Sequence, residues 1–180
     1  MAKTKEIKKV IKIPEDVQIT VEKNNVHVTG EKGSLSKLLS HPKIQIKVKE
    51  NIVELSFIES SHKKERALIG TFAAHIKNMI KGVTKGFEYK MKTVYSHFPI
   101  KTNVEGDKFV IHNFLGERSP RKAQILENVK VDVKGDNVSV SGIDKEKVGQ
   151  TVANIERATR ITNRDIRIFQ DGVYLVSNRG

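Results

Sequence analysis

Val17–Gly30 reads VQITVEKNNVHVTG, and Val129–Gly142 reads VKVDVKGDNVSVSG. Aligned without gaps, the two share six of fourteen positions: Val17/Val129, Val21/Val133, Asn25/Asn137, Val26/Val138, Val28/Val140 and Gly30/Gly142. Each stretch alternates apolar and polar residues on either side of a polar turn. Successive side chains of a strand point to opposite faces, so this period predicts a β-hairpin with one buried face. The pattern recurs in Ile44–Phe57 (IQIKVKENIVELSF), turning at Glu50-Asn51, and in Lys101–Phe114 (KTNVEGDKFVIHNF), turning at Gly106-Asp107. Four hairpins are predicted.

A helical period follows each second hairpin. Leu68, Ile69, Phe72, Ala73, Ile76, Met79 and Ile80 fall on one helix face, with Ser60 or Ser61 as N-cap and Lys81-Gly82 as the last turn. In the other half Asp144 is placed to cap a helix burying Val148, Val152, Ile155 and Thr159. Gly70, Ala74 and Ile76 recur at the same spacing as Gly149, Ala153 and Ile155. An extended lead-in precedes each first hairpin: Ile7, Val10, Ile11 and Ile13, then Phe87, Tyr89, Met91, Val94 and Tyr95. Strand, hairpin, hairpin and helix thus occur twice. The fold class expected is α+β: two tandem duplicated domains, residues 1–82 and 83–180, each an antiparallel sheet packed on one face by a helix. The joint is expected within Gly82–Gly86, where two glycines flank a short link.

The composition fits two small units. The chain has 180 residues, of which 37% are hydrophobic and none is tryptophan, too little apolar material for one large core. With no cysteine, disulfides, thiolate metal sites and thiol nucleophiles are excluded. No apolar run approaches the length of a membrane span, and the lysine-studded start lacks a signal-peptide core, so a soluble cytoplasmic protein without a membrane partner is expected.

The formal net charge of +12 bears on partners rather than on fold. Nucleic acid is the first candidate, because each phosphate neutralised by Lys or Arg releases condensed counterions; a merely solubilising surface is the alternative. Divided at Gly82, the halves carry net +7 and +5, yet Arg66 is the first half's one arginine, whereas Arg118, Arg121, Arg157, Arg160, Arg164, Arg167 and Arg179 lie in the second. Guanidinium forks bind phosphates bidentately and stack on bases, as ammonium groups do not. The second half is therefore expected to carry the main nucleic-acid-binding face. Its candidates are Arg118, Arg121 and Lys122 in the loop 115–122, Arg157, Arg160 and Arg164 at i, i+3, i+7 on one face of a prolonged helix, and Arg167 in a strand-like Asp165–Phe169. The competing reading of the helix group is a solvated face paired with Glu156 and Asp165. In the first half Lys77, Lys81 and Lys85 form a basic strip, and Lys3, Lys5, Lys8, Lys9 and Lys12 read as an arm that orders on a partner.

Chemistry of other kinds is thinly represented. There is no phosphate loop and no dinucleotide motif, and His27, His41, His62, His75, His97 and His112 show no metal-ligand spacing. Asp132, Asp136, Asp144 and Glu146 are conceivable as a metal-dependent nuclease cluster, although Asp144 is better explained as a cap. Gly30-Glu31-Lys32-Gly33 matches the GxxG backbone clamp but follows a strand, which favours a turn. Aromatics at 6% offer few stacking platforms for single strands, so duplex or folded RNA fits better. No enzyme activity, metal, cofactor or small-molecule substrate is expected.

With these parts assembled, the chain resembles the large-ribosomal-subunit protein six family, in its archaeal and eukaryotic branch. The resemblance covers essentially the whole chain and is most specific in GVTKGFEYKMKTVYSHFPI (Gly82–Ile100), KFVIHNFLGE (Lys108–Glu117) and RDIRIFQDGVYLV (Arg164–Val176). It implies two similar α+β domains in tandem, and a structural role in the large subunit without catalysis. It further implies binding to large-subunit ribosomal RNA near the sarcin–ricin loop and stalk base, where translational GTPases dock and other ribosomal proteins are neighbours. The C-terminal domain and tail then make the principal RNA contacts, through Arg118, Arg121 and Lys122 and through Arg160, Arg164 and Arg167, while the N-terminal domain lies further out. The bacterial branch carries a lysine–glycine-rich tail motif where this chain reads Phe169-Gln170-Asp171-Gly172-Val173-Tyr174.

Overall fold

The computed structural model describes residues 8–49, 51–57 and 63–179, with side chains over 8–49, 51–57 and 67–177. Contacts divide the chain into two units, residues 1–85 and 86–180. The first comprises β1 (Lys8–Lys12), β2 (Gln18–Glu22), β3 (Asn25–Gly30), β4 (Gly33–Leu38), β5 (Ile44–Lys49), β6 (Ile52–Phe57) and α1 (Lys63–Thr84). The second comprises β7 (Phe87–Val94), β8 (Lys101–Glu105), β9 (Lys108–His112), β10 (Arg121–Gln124), β11 (Val129–Lys134), β12 (Asn137–Gly142), α2 (Lys145–Ala158) and β13 (Gly172–Arg179).

Both units are α+β, and their topologies match. Each holds two antiparallel sheets rather than the one expected: β1-β6-β5 with β2-β3-β4, and β7-β12-β11 with β8-β9-β10. The second unit adds β13 beside β7 as an edge strand. The matching sheet orders show the duplication hairpin for hairpin, in the order that the sequence repeats. Val17–Gly30 forms β2 and β3, whose counterparts are β8 and β9. Val129–Gly142 forms β11 and β12, whose counterparts are β5 and β6.

The sequence likeness therefore joins hairpins that are not equivalent. It reflects a shared packing demand. Val26 and Val28 in β3, like Val138 and Val140 in β12, are buried two residues apart on one face. Each strand also ends in a glycine close against a helix. A Cβ at Gly30 would stand 2.8 Å from Val83 Cγ2, and one at Gly142 would stand 2.8 Å from Val148 Cγ2.

Each unit has its own core. In the first, Ile69, Phe72, Ala73, Ile76, Met79, Ile80 and Val83 of α1 pack with Val26, Val28, Val53 and Leu55. In the second, Val148, Val152 and Ile155 of α2 pack with Phe109, Ile111, Val138 and Val140. The stripes expected from the helical period face inward, and Asp144 caps α2 by accepting the Glu146 N–H at 2.9 Å. The helix bounds differ from expectation. α1 continues through buried Gly82, and Gly86, at φ +76°, takes the left-handed position that follows it. The last carbonyls of α1 are met by Lys32, whose backbone N–H donates to Val83 at 3.0 Å and whose Nζ donates to the Lys85 carbonyl.

Lys8–Lys12 is strand β1, paired along β6, rather than an arm. The leader residues Lys3, Lys5 and Ile7, the caps Ser60 and Ser61, Glu50 and His62, and the Arg66 and Arg179 side chains lie outside what is described. No described helix is long and apolar enough to cross a membrane.

Gly70 and Gly149 sit inside helices, and a Cβ at either would meet nothing within 4 Å. Gly70→Ala and Gly149→Ala are each expected to stabilise the protein by about 0.5–1 kcal/mol, because alanine has less backbone freedom to lose. Urea denaturation checks this, and a loss of stability in either variant would contradict it.

Candidate nucleic-acid interface

The turn after β9 is shaped by backbone geometry. Asn113, Leu115 and Gly116 adopt φ of 59°, 50° and 77°, a left-handed region that costs a residue such as leucine about 1–2 kcal/mol. Buried Phe114 anchors the turn. Asn113 Nδ2 donates to the Pro99 carbonyl at 3.1 Å, and the Glu117 N–H donates to the Phe114 carbonyl at 2.9 Å. The chain is thereby set to bring Glu117 against the first residue of β10, Arg121.

Arg121 is the hub of this region. Its Nε and Nη2 donate to Glu117 Oε2 at 2.8 Å and Oε1 at 2.5 Å, a bidentate pair. Nη1 donates to the carbonyls of Ala158 at 3.0 Å and Arg160 at 3.1 Å. The guanidinium carbon lies 4.2 Å from the Phe114 ring centroid. One side chain thus ties the turn after β9 to the C-terminal end of α2, where carbonyls favour a cation. The hydrogen bond from Arg121, followed by the charges of Arg121 and Arg164, holds the Glu117 carboxyl below its ordinary value despite partial desolvation.

The helix ends at Ala158, with Thr159 as C-cap, so Arg157, Arg160 and Arg164 do not share a prolonged helical face. Arg157 is exposed in the last turn of α2, and Arg160 is exposed just beyond it. Buried Thr159 donates through Oγ1 to the Glu156 carbonyl at 3.2 Å and accepts the Val173 N–H at 3.1 Å, tying the end of α2 to β13. Asp165–Phe169 is a turn rather than a strand. Arg164 stacks over Phe169 at 4.8 Å. Arg167 pairs with Asp165 through Nη2 at 2.9 Å and Nε at 3.1 Å, which lowers the Asp165 pKa and raises that of Arg167. Glu156 does not take the arginines; its Oε1 accepts the Leu175 N–H at 3.0 Å.

Five of the seven expected residues are gathered by these contacts. Arg118 follows Glu117 directly, Arg160 offers its carbonyl to Arg121, and Arg157 accepts the Arg160 N–H at 3.2 Å. Arg164 acts electrostatically on Glu117. Among the described residues Arg118, Arg157 and Arg160 form no ion pair and remain exposed. Two residues stand apart from that group. Lys122 is exposed on the face of β10 opposite Arg121 and buried Ala123, since neighbouring strand residues alternate, and Arg167 is held in its own turn.

Contacts that sequence spacing does not reveal fix the tail. Asp171, 3% exposed, accepts the Ser96 N–H at 3.2 Å through Oδ1, and Tyr174 donates to the Gln170 carbonyl at 3.2 Å. Burial, then the charges of Asp171 and Glu156, raise the Tyr174 pKa. The segment Phe169–Tyr174 thus has a packing role, as the run-in to β13.

The arrangement offers exposed cations on a tied backbone. Among the described residues no three His, Asp or Glu side chains converge as a metal site. Asp132 lies 3.5 Å from Lys130 Nζ, and Asp144 is engaged as a cap. Gly30–Gly33 is the turn of the β3–β4 hairpin.

The profile of the family described as Ribosomal protein L6 matches twice, over residues 13–86 and 98–172. A protein of Methanobrevibacter smithii, named large ribosomal subunit protein uL6, is 51% identical over 173 residues, 95% of this chain and 96% of its own length. Proteins of the same name from Methanosphaera stadtmanae and Methanosarcina mazei are 51% identical over 180 residues (99% and 97% of the two chains) and 50% identical over 172 residues (96% and 97%). With both halves matched by one family and nearly the whole length by these relatives, the chain belongs to the ribosomal protein L6 family, structural proteins of the ribosome rather than enzymes.

Proposed function

We propose that the chain is a structural constituent of the large ribosomal subunit in the cytoplasm, binding large-subunit ribosomal RNA near the sarcin–ricin loop and stalk base. There it supports the region where translation factors dock, beside neighbouring ribosomal proteins. The observation that supports the RNA-binding face is the Arg121 hub, which ties the turn carrying Arg118 to the end of α2 that carries Arg157 and Arg160. Cations held on a rigid frame meet folded RNA with less ordering cost than cations on a mobile loop. Lys122, on the opposite face of β10, and Arg167, paired with Asp165, are phosphate contacts outside this face, and Arg121 acts by positioning.

An Arg160→Ala/Arg164→Ala variant is expected to bind a large-subunit RNA fragment containing the sarcin–ricin loop about twentyfold more weakly at 0.15 M salt. The slope of log affinity against log salt should fall by about 1.5, as loss of two phosphate contacts requires. Filter binding across a salt series checks both numbers. Unchanged affinity and slope would refute the assignment of this face. Co-sedimentation with large subunits at moderate salt separates a subunit constituent from a free-standing duplex-binding protein.

A further inference from the structure

The first unit has a basic groove that the arginine face does not account for. Lys12 of β1 and Lys77, Lys81 and Lys85 on and just beyond α1 line it, together with Val10 and Ile80. The three lysines along α1 are four residues apart, so the helical rise sets them about 6 Å from one another near a single face. The chain carries no acidic residue between Glu65 and Glu88. Among the described residues none of the four lysines forms an ion pair.

We propose that this groove binds the sugar–phosphate backbone of a second RNA segment, independently of the arginine face. Ammonium groups are compact point charges, suited to phosphates rather than to base edges. Their spacing along α1 approximates the step between neighbouring phosphates on one strand, so successive lysines can follow successive phosphates. The C-terminal end of a helix ordinarily repels anions. Here Lys32 places its ammonium on the Lys85 carbonyl and offsets that charge. An acidic amphipathic peptide is the rival occupant, and the floor suits it poorly. Ile80 is 8% exposed, which leaves Val10, at 54%, as the apolar contact of any size.

The test uses the full chain carrying Lys12→Gln, Lys77→Gln, Lys81→Gln and Lys85→Gln together, titrated with large-subunit ribosomal RNA over a salt series. Affinity should fall on the order of a hundredfold at 0.15 M salt, and the salt slope by about 3, with the circular dichroism spectrum unchanged. The corresponding four Lys→Arg substitutions should retain binding. A photocrosslinker at position 81 in assembled subunits should label RNA. Unchanged affinity and slope would overturn the proposal, and so would crosslinks to protein alone, which would identify an acidic protein segment as the occupant. The Arg160→Ala/Arg164→Ala variant in the same titration reports on the other face, so failure of the groove and failure of the arginine face are read separately.

Discussion

Arg121→Ala is expected to lower stability by about 2–3 kcal/mol and to weaken RNA binding in the same variant. The loss leaves the Glu117 carboxylate, the Ala158 and Arg160 carbonyls and the Phe114 ring without their common partner. Hydrogen bonds to charged groups contribute about 1.5–3 kcal/mol each when buried. Glu117 and Arg121 side chains are 39% and 26% exposed, so solvent screening keeps the total far below the sum over the four bonds. Arg121→Lys should recover less than half, because an ammonium cannot serve a carboxylate and two carbonyls with one planar fork. Urea denaturation and RNA titration of the same variants separate the two possible roles. A direct phosphate ligand would lose about 1 from the salt slope with stability intact; a positioning residue loses stability.

The pH dependence has a definite sign. The folded Glu117 pKa is depressed, so its contribution is complete above the ordinary carboxylate value of about 4.3 and is lost as pH falls through the depressed one. The stability gap between wild type and Arg121→Ala should therefore be flat from pH 7 to pH 5 and narrow below about pH 4.

Gly142→Ala should destabilise the second unit by about 1–3 kcal/mol, the cost of overpacking a close contact. The added methyl would stand 2.8 Å from Val148 Cγ2 and 3.0 Å from the Asn128 carbonyl oxygen. A side chain can yield slightly; the backbone of a β-strand entry cannot do so cheaply. Gly30→Ala makes the parallel case in the first unit, at 2.8 Å from Val83 Cγ2 and 3.1 Å from the Val83 carbonyl oxygen. In a Val148→Ala background Gly142→Ala should cost measurably less, since the two sites are coupled through that contact. Equal costs in both backgrounds would show that the helix is not what excludes a side chain there.

Local signals were legible wherever one face of an element is buried and the other wet. Val26 and Val28, Val138 and Val140, and the stripe from Ile69 to Ile80 carry their periods openly, and Asp144 announces its cap. Three strands carry no readable period, for a physical reason. β4 (GSLSKL) has no fully buried side chain, β10 (RKAQ) has one, and β13 is an edge strand with Tyr174, Leu175 and Val176 exposed. None alternates strongly enough to be read. β2–β3 and β11–β12 have burial demands so alike that their sequences align across non-equivalent places in the fold, whereas the repeated order of elements pairs each hairpin with its true counterpart.

From the amino-acid order alone came the doubled α+β plan, the inward faces of both helices and the concentration of arginine in the later half, because each depends on residues near one another along the chain. Which arginines are presented and which is built in came from three-dimensional packing. Arg121 looks like its neighbours until the Ala158 and Arg160 carbonyls, 37 and 39 residues away, close on it. The end of α2 is likewise tied to β13 through Thr159, which accepts the Val173 N–H. Donors and acceptors so far apart in the chain leave no periodic trace, and only the folded backbone sets the distance between them.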